Sequence, residues 1–135
     1  MYNRLLIPGC SWEVKTIDFM SSNRDKYPAL KDSLEYERTK NAEIGYRSHR
    51  FPYIKTSRIN KVVNNELKEG DIVALTTKTP GLDVTHMGII VKQDGIPHLL
   101  HASSKKGKVV IDDLPINEYL KRNGGTGFRV IRLID

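Results

Sequence analysis

The sequence predicts an α+β fold, with N-terminal helices followed by a mostly antiparallel β-sheet or barrel. Three observations carry this expectation. Residues 13–44 set apolar side chains near helical spacing among many charges. From Asp71 onward, short runs rich in β-formers alternate with Pro-Gly, Asp-Gly and Lys-Gly turn signals. The chain has 135 residues, enough for one core that buries roughly two-thirds of the unfolded surface. Residues 1–135 are therefore expected to form a single domain, mainly helical over 1–70 and β-rich over 71–135.

The elements follow in chain order. Val14, Ile17 and Phe19 with Met20 give the first helix an apolar face. Ser21-Ser22-Asn23 interrupts it, and Pro28 suits the first turn of a second helix that carries Leu30, Leu34 and Ile44. Pro52 marks 49–53 as a loop. Thr56 or Ser57 is expected to cap a short helix running to Leu67, with Ile59, Val62 and Val63 inward and Gly70 ending it. Strands are expected over 72–77, 84–91, 96–101, 108–111 and 128–133. Asp94-Gly95 is a hairpin signal, and Pro115 to Lys121 is expected to form a short helix.

Composition narrows the function classes. The net charge is +6, hydrophobic residues make up 39% and charged residues 28%, and the mean hydropathy is −0.45. This is the balance of a soluble globular domain, not of a disordered or fibrous chain. No apolar run approaches the roughly 20 residues of a membrane span. Leu5, Leu6 and Ile7 before Cys10 are too few for the apolar core of a secretory signal. The basic excess is spread along the chain. Its densest clusters are Lys55, Arg58 and Lys61, then Lys105, Lys106 and Lys108. They read as a solvated surface or as attraction to a polyanion, either a nucleic acid or an anionic cell-wall polymer. No aromatic residues interleave with them, so nucleic acid is not expected as a partner. No phosphate loop or internal repeat is present. One cysteine excludes an internal disulfide framework and a Cys-rich zinc site.

The candidate chemistry lies on two histidines. His86 opens one predicted strand and His101 closes the next. A tight hairpin at Asp94-Gly95 brings the two imidazoles to one face if the register centres near residues 93–94. Alternation puts Gly88 on the same face as His86, which leaves room there for a substrate backbone. One imidazole can act as general base while the other group fixes its tautomer. Otherwise each histidine satisfies a local hydrogen bond. His98 and His49 read as surface residues. No tight His/Asp/Glu cluster accompanies His86, so neither a metal nor a cofactor is expected.

Several segments resemble a known family. They are Gly70-Asp71-Ile72-Val73, Gly81 through Ile89, His98 through Ser104 and Lys108-Val109-Val110-Ile111. In front of them, Lys15 through Ser21 and Tyr27-Pro28-Ala29-Leu30 fit the same pattern. Together these are similar to the N-acetylmuramoyl-L-alanine amidase-like branch of the NlpC-type, papain-like cell-wall cysteine peptidases. The resemblance covers nearly the whole chain from about Gly9. It implies a papain-like core and hydrolysis of amide bonds in peptidoglycan peptide stems. It further implies His86 as the catalytic base, His101 as the orienting residue, and a full-length protein in the cell envelope or secreted.

The nucleophile stays open. Cys10 is the sole thiol, and a Cys10-Ser11 pair opening a helix would suit the role. The resembled branch places its nucleophile upstream of the Lys15-to-Met20 segment, in which case Cys10 is incidental and the segment bearing the nucleophile is missing. The leading expectation is thus a Cys-His-His hydrolase domain, incomplete or inactive in this chain. The alternative is a non-catalytic module that binds peptidoglycan or a polyanion. The sequence says nothing of oligomeric state.

Overall fold

The computed structural model describes residues 7–133. Its elements run β1 Ser11–Val14, α1 Phe19–Ser22, α2 Ser33–Gly45, β2 Arg50–Lys55, α3 Lys61–Glu66, β3 Ile72–Thr76, β4 Val84–Gln93, β5 Ile96–Ser103, β6 Lys108–Pro115, α4 Ile116–Arg122 and β7 Gly127–Ile131. Short 3₁₀ turns lie at Arg24–Lys26, Pro28–Lys31 and Thr56–Arg58. The fold is α+β. The strands form one seven-stranded sheet in the order β1-β2-β7-β3-β4-β5-β6. The sheet is not closed, so the barrel form of the expectation is corrected: β1 and β6 end it as separate edges. Leu5 and Leu6, weighed above as part of a signal, lie outside the described residues.

The chain divides into two compact units. One holds the chain to Ser11, Pro52–Thr77 and the chain from Val84 onward; the other holds Trp12–Phe51 and Lys78–Asp83. In the first unit, β3 is flanked by β4 and β7 and is buried from Val73 to Thr76. A run of apolar β-formers suits a strand covered on both faces. Ile90, Leu99, Ile116, Leu120 and Phe128 are each at most 1% exposed and form the centre of the core. Burying each such side chain contributes on the order of 1.5–3 kcal/mol. Asp71 anchors the start of β3. Its carboxylate accepts two hydrogen bonds of 2.6 Å from Arg132 and one of 2.8 Å from the Lys68 N–H.

The second unit is organised by polar contacts. The Asp32 Oδ1 accepts the N–H groups of Leu34 and Glu35, capping α2. Glu43 on α2 accepts the N–H groups of Met20 and Ser21 through Oε1. The Gly81 carbonyl accepts the N–H groups of Asp18 and Phe19. Arg24 lies 4.3 Å from the Tyr36 ring centroid.

Three elements differ from expectation in the front half. Residues 11–14 are a strand, not the start of a helix. Their burial alternates with period two, and Lys15 Nζ meets Glu13 Oε1 at 3.3 Å. Residues two apart share a side in extended chain but not in a helix. Arg50–Lys55 is a strand, not a loop. Pro52 has no N–H to donate, and the ladder to β7 pairs Ile54 with Phe128 and Lys55 with Gly127, beyond the proline. Asn60, not Thr56 or Ser57, caps α3, its Oδ1 accepting the Val63 N–H at 3.0 Å. Thr56 is occupied elsewhere, its hydroxyl donating to the Gly125 carbonyl at 2.8 Å. Val62, expected inward, is 54% exposed.

Candidate functional site

The hairpin of β4 and β5 forms where the Asp94-Gly95 signal places it. Asp94 and Gly95 have φ of 50° and 79°, the two successive positive values of a type I′ turn. The ladder pairs Gln93 with Ile96, Ile90 with Leu99 and Ile89 with Leu100. Carried one step on, this register sets Gly88, not His86, against His101. The two imidazoles therefore meet on the diagonal of one face, within reach of long and aromatic side chains. His86 Nε2 lies 2.8 Å from His101 Nδ1 with the rings nearly perpendicular, at 87°. The expectation that Gly88 leaves room for substrate is corrected. Gly88 is buried, and a Cβ there would strike the Leu99 side chain and come within 2.9 Å of the Leu100 carbonyl oxygen. The glycine makes room for the core.

Two irregularities in the sheet aim the polar groups. Against β3, the register slips between Leu75, paired with His86, and Thr76, paired with Val84. Thr85 is the extra residue, directly before His86. Against β6, Leu100 pairs with Ile111 but His98 pairs with Pro115. Asp112, Asp113 and Leu114 thus bulge opposite Leu99. Bulges re-aim side chains, and this one turns the Asp112 carboxylate onto His101, with Oδ2 at 3.1 Å from Nε2. The Asp112 carbonyl takes His98 Nδ1 at 2.8 Å. His98, expected at the surface, is only 7% exposed. His49 is exposed, against Phe51 with ring centroids 4.8 Å apart.

Asp112 is the site residue that sequence reasoning missed. The period-two pattern stops at Ile111, and nothing local distinguishes an aspartate in a bulge from one in a turn. Tyr119 on α4 completes the surroundings, with its ring centroid 5.3 Å from that of His101 and 6.4 Å from that of His86. Burial, and secondarily the Asp112 charge, push its phenol up, so it stays neutral.

The hydrogen bonds fix the protons. An ionised Asp112 only accepts, so His101 carries its proton on Nε2. With its proton on Nε2, His101 has a bare Nδ1, which accepts from His86 Nε2–H. The lone pair of His86 is left on Nδ1. Burial, and next the neighbouring His101, hold the His86 pKa below the ordinary 6.5. The ring is therefore neutral at neutral pH, the form a general base requires.

Cys10 does not join this arrangement. It lies in irregular chain before β1, not at the start of a helix, and packs against the apolar core. Burial pushes its thiol up, opposite to the activation of a nucleophile. Among the described residues no group of three His, Cys, Asp or Glu is arranged to hold a metal ion. No helix there is long and apolar enough to cross a membrane.

Comparison with known proteins places the chain. A crystal structure of an N-acetylmuramoyl-L-alanine amidase from Bacteroides uniformis is 35% identical, with a TM-score of 0.89, covering 96% of this chain and 55% of that one. A protein from Bacteroides fragilis provisionally named a xylanase is 38% identical, with a TM-score of 0.85, covering 91% of this chain and 54% of that one. Protein LPG0564 from Legionella pneumophila, at 18% identity and a TM-score of 0.58, covers 96% of this chain and 52% of that one and shares the fold. The chain thus spans about half the length of the solved structures it matches. No curated protein sequence matches it. Residues 11–127 match the AmiA-like family model, and on that match the chain belongs to the AmiA-like, N-acetylmuramoyl-L-alanine amidase-like family.

Proposed function

We propose that this chain carries the base side of a cysteine amidase of the NlpC-type, papain-like kind, acting on an amide bond of a peptidoglycan stem peptide. The observation that carries the reading is the Asp112–His101–His86 chain of hydrogen bonds, which leaves His86 Nδ1 as the free lone pair. His86 takes the proton of a thiol and returns it to the leaving amine. His101 holds the His86 ring by its Nε2–H and stabilises the imidazolium. Asp112 fixes the His101 tautomer. The raised pKa of Cys10 favours a thiol other than Cys10 as the nucleophile. Family membership supports a peptidoglycan-related substrate and, for the full-length protein, a place in the cell envelope or outside the cell. The same cysteine observation favours one second reading, a cavity that binds stem peptide without cutting it.

The test is muropeptide hydrolysis by the full-length protein, followed by mass spectrometry. His86→Ala should lower the rate by at least 10²–10⁴-fold, the usual contribution of general acid–base catalysis. The acid limb of kcat/KM should lie below pH 6.5. The depressed His86 pKa keeps the ring neutral down to that pKa, and activity is lost as pH falls through it. Full activity in His86→Ala, or an acid limb above pH 7, would overturn the assignment. Muropeptide binding with no product at any pH would establish the second reading.

A further inference from the structure

A smaller cavity, of about 250 Å³, lies within the unit of Trp12–Phe51 and Lys78–Asp83, lined from α1, α2 and the chain beside them. Along α2 and the turn after it, Tyr36, Lys40, Glu43, Ile44 and Arg47 recur at helical spacing and form one wall. Lys40 and Glu43 are three residues apart, and Glu43 and Arg47 four. Opposite charges at these spacings pair on a helix. No such pair forms here among the described residues. Glu43 is 7% exposed, and its Oε1 is drawn instead onto the Met20 and Ser21 N–H groups, at 3.0 and 3.3 Å. Its Oε2 is buried with no hydrogen-bond partner. A buried carboxylate oxygen left without a donor is costly, and such groups call for a partner. Asp18 lines the same cavity, and its side chain caps nothing. Lys40 Nζ rests over the Tyr36 ring, 5.9 Å from the centroid. The cavity thus holds two carboxylates and two cations that do not neutralise one another.

We propose that this cavity binds a free α-amino acid with an apolar side chain. The ligand's ammonium donates to Glu43 Oε2 and to the Asp18 carboxylate, and its carboxylate accepts from Lys40 and Arg47. All of these are charge-assisted bonds, and the Arg47 guanidinium offers the planar fork that matches a carboxylate. An α-amino acid carries its two charges on one carbon. Neighbouring charged positions of the α2 wall lie within about one helical turn, 5.4 Å, of each other, so one small ligand reaches both signs. Ile17 and Ile44 supply the apolar wall for its side chain. A simple cation would leave Lys40 and Arg47 unpaired, and a simple anion would leave Glu43 unpaired. The site shares no lining residue with the cavity at His86, so it goes beyond the hydrolase reading and does not depend on it.

The experiment titrates the isotope-labelled chain with L-leucine, N-acetyl-L-leucine and L-leucinamide. The Met20 and Ser21 amide resonances, which report on Glu43, are followed by NMR. Leucine should shift both, with the millimolar affinity usual for so small a ligand. N-acetyl-leucine lacks the ammonium and leaves Glu43 unpaired, so it should bind about tenfold more weakly or worse. Leucinamide lacks the carboxylate and should bind about fivefold more weakly, the scale of exposed ion pairs. Glu43→Gln keeps an oxygen for the Met20 and Ser21 amides but puts a donor where the ammonium needs an acceptor. It should lower leucine affinity about tenfold or more. The double variant Lys40→Gln, Arg47→Gln should bring leucine down to the affinity of leucinamide and leave leucinamide unchanged. That variant carries the test if Glu43→Gln does not fold. No leucine-induced shift at Met20 or Ser21, equal binding of the three ligands, or a double variant that still prefers leucine to leucinamide overturns the amino-acid site. Each of these outcomes leaves the hydrolase reading to its own muropeptide assay.

Discussion

The two compact units reach order by different means. The unit that carries β3, β4, β5 and β7 has an apolar core in which Leu67, Ile90, Leu99, Leu120 and Phe128 are fully buried. In the unit of Trp12–Phe51 and Lys78–Asp83, only Leu30 and Glu43 are buried among the described residues. Its order comes from caps and carboxylate-to-amide bonds, at Asp32, Glu43 and the Gly81 carbonyl. Apolar burial scales with area and tolerates small shifts, whereas a cap acts through one or two bonds and fails with them. The candidate site sits in the first kind of structure, where packing holds the His86 and His101 rings in place.

Substitutions can break this contrast. The largest loss is expected for Arg132→Ala, which leaves the Asp71 carboxylate, 2% exposed, without its counter-charge. Removing one partner of a buried pair costs about 3–5 kcal/mol, and denaturant unfolding should register at least 3. A loss below about 1 kcal/mol would mean that Asp71 is held by its backbone contacts alone. Next comes the same change made in both units. Leu99→Ala in β5 should cost about 2–5 kcal/mol, as for a fully buried leucine. Leu34→Ala in α2, at 60% exposure, should stay within about 0.5 kcal/mol. Equal costs would dissolve the contrast. Between these lies Asp32→Ala, which removes the α2 cap and should cost about 1 kcal/mol, with amide exchange at Leu34 and Glu35 rising first. If Asp32→Ala proved as mild as Leu34→Ala, the view that caps hold the second unit would fall.

Legibility in the sequence follows the same division. The β4–β5 hairpin and the meeting of His86 with His101 could be read because Asp94-Gly95 and period-two alternation are local signals with a fixed geometric meaning. The register was off by two residues, which sets Gly88 and not His86 against His101 and keeps both imidazoles on one face. A two-residue turn centres the pairing between Asp94 and Gly95, and the rings bridge the remaining offset on the diagonal. The front half was harder. Val14, Ile17, Phe19 and Met20 mimic a helical stripe, but Val14 is 60% and Met20 39% exposed, so that face is not buried. Pro52 looked like a loop marker because its neighbours' hydrogen-bond duties cannot be seen in sequence.

The sequence by itself determined the α+β class, the hairpin, the two imidazoles on one face and the family resemblance. Each depends on interactions between near neighbours or on residue types at fixed spacing. The tertiary structure decided the rest. It placed Asp112 on His101 through a bulge that depends on how β6 lies against β5. It filled the space at Gly88 with Leu99, buried His98, and packed Cys10 against the core, where burial pushes its thiol up. These outcomes depend on which strands lie side by side and on which groups lose water, and both are properties of the folded chain.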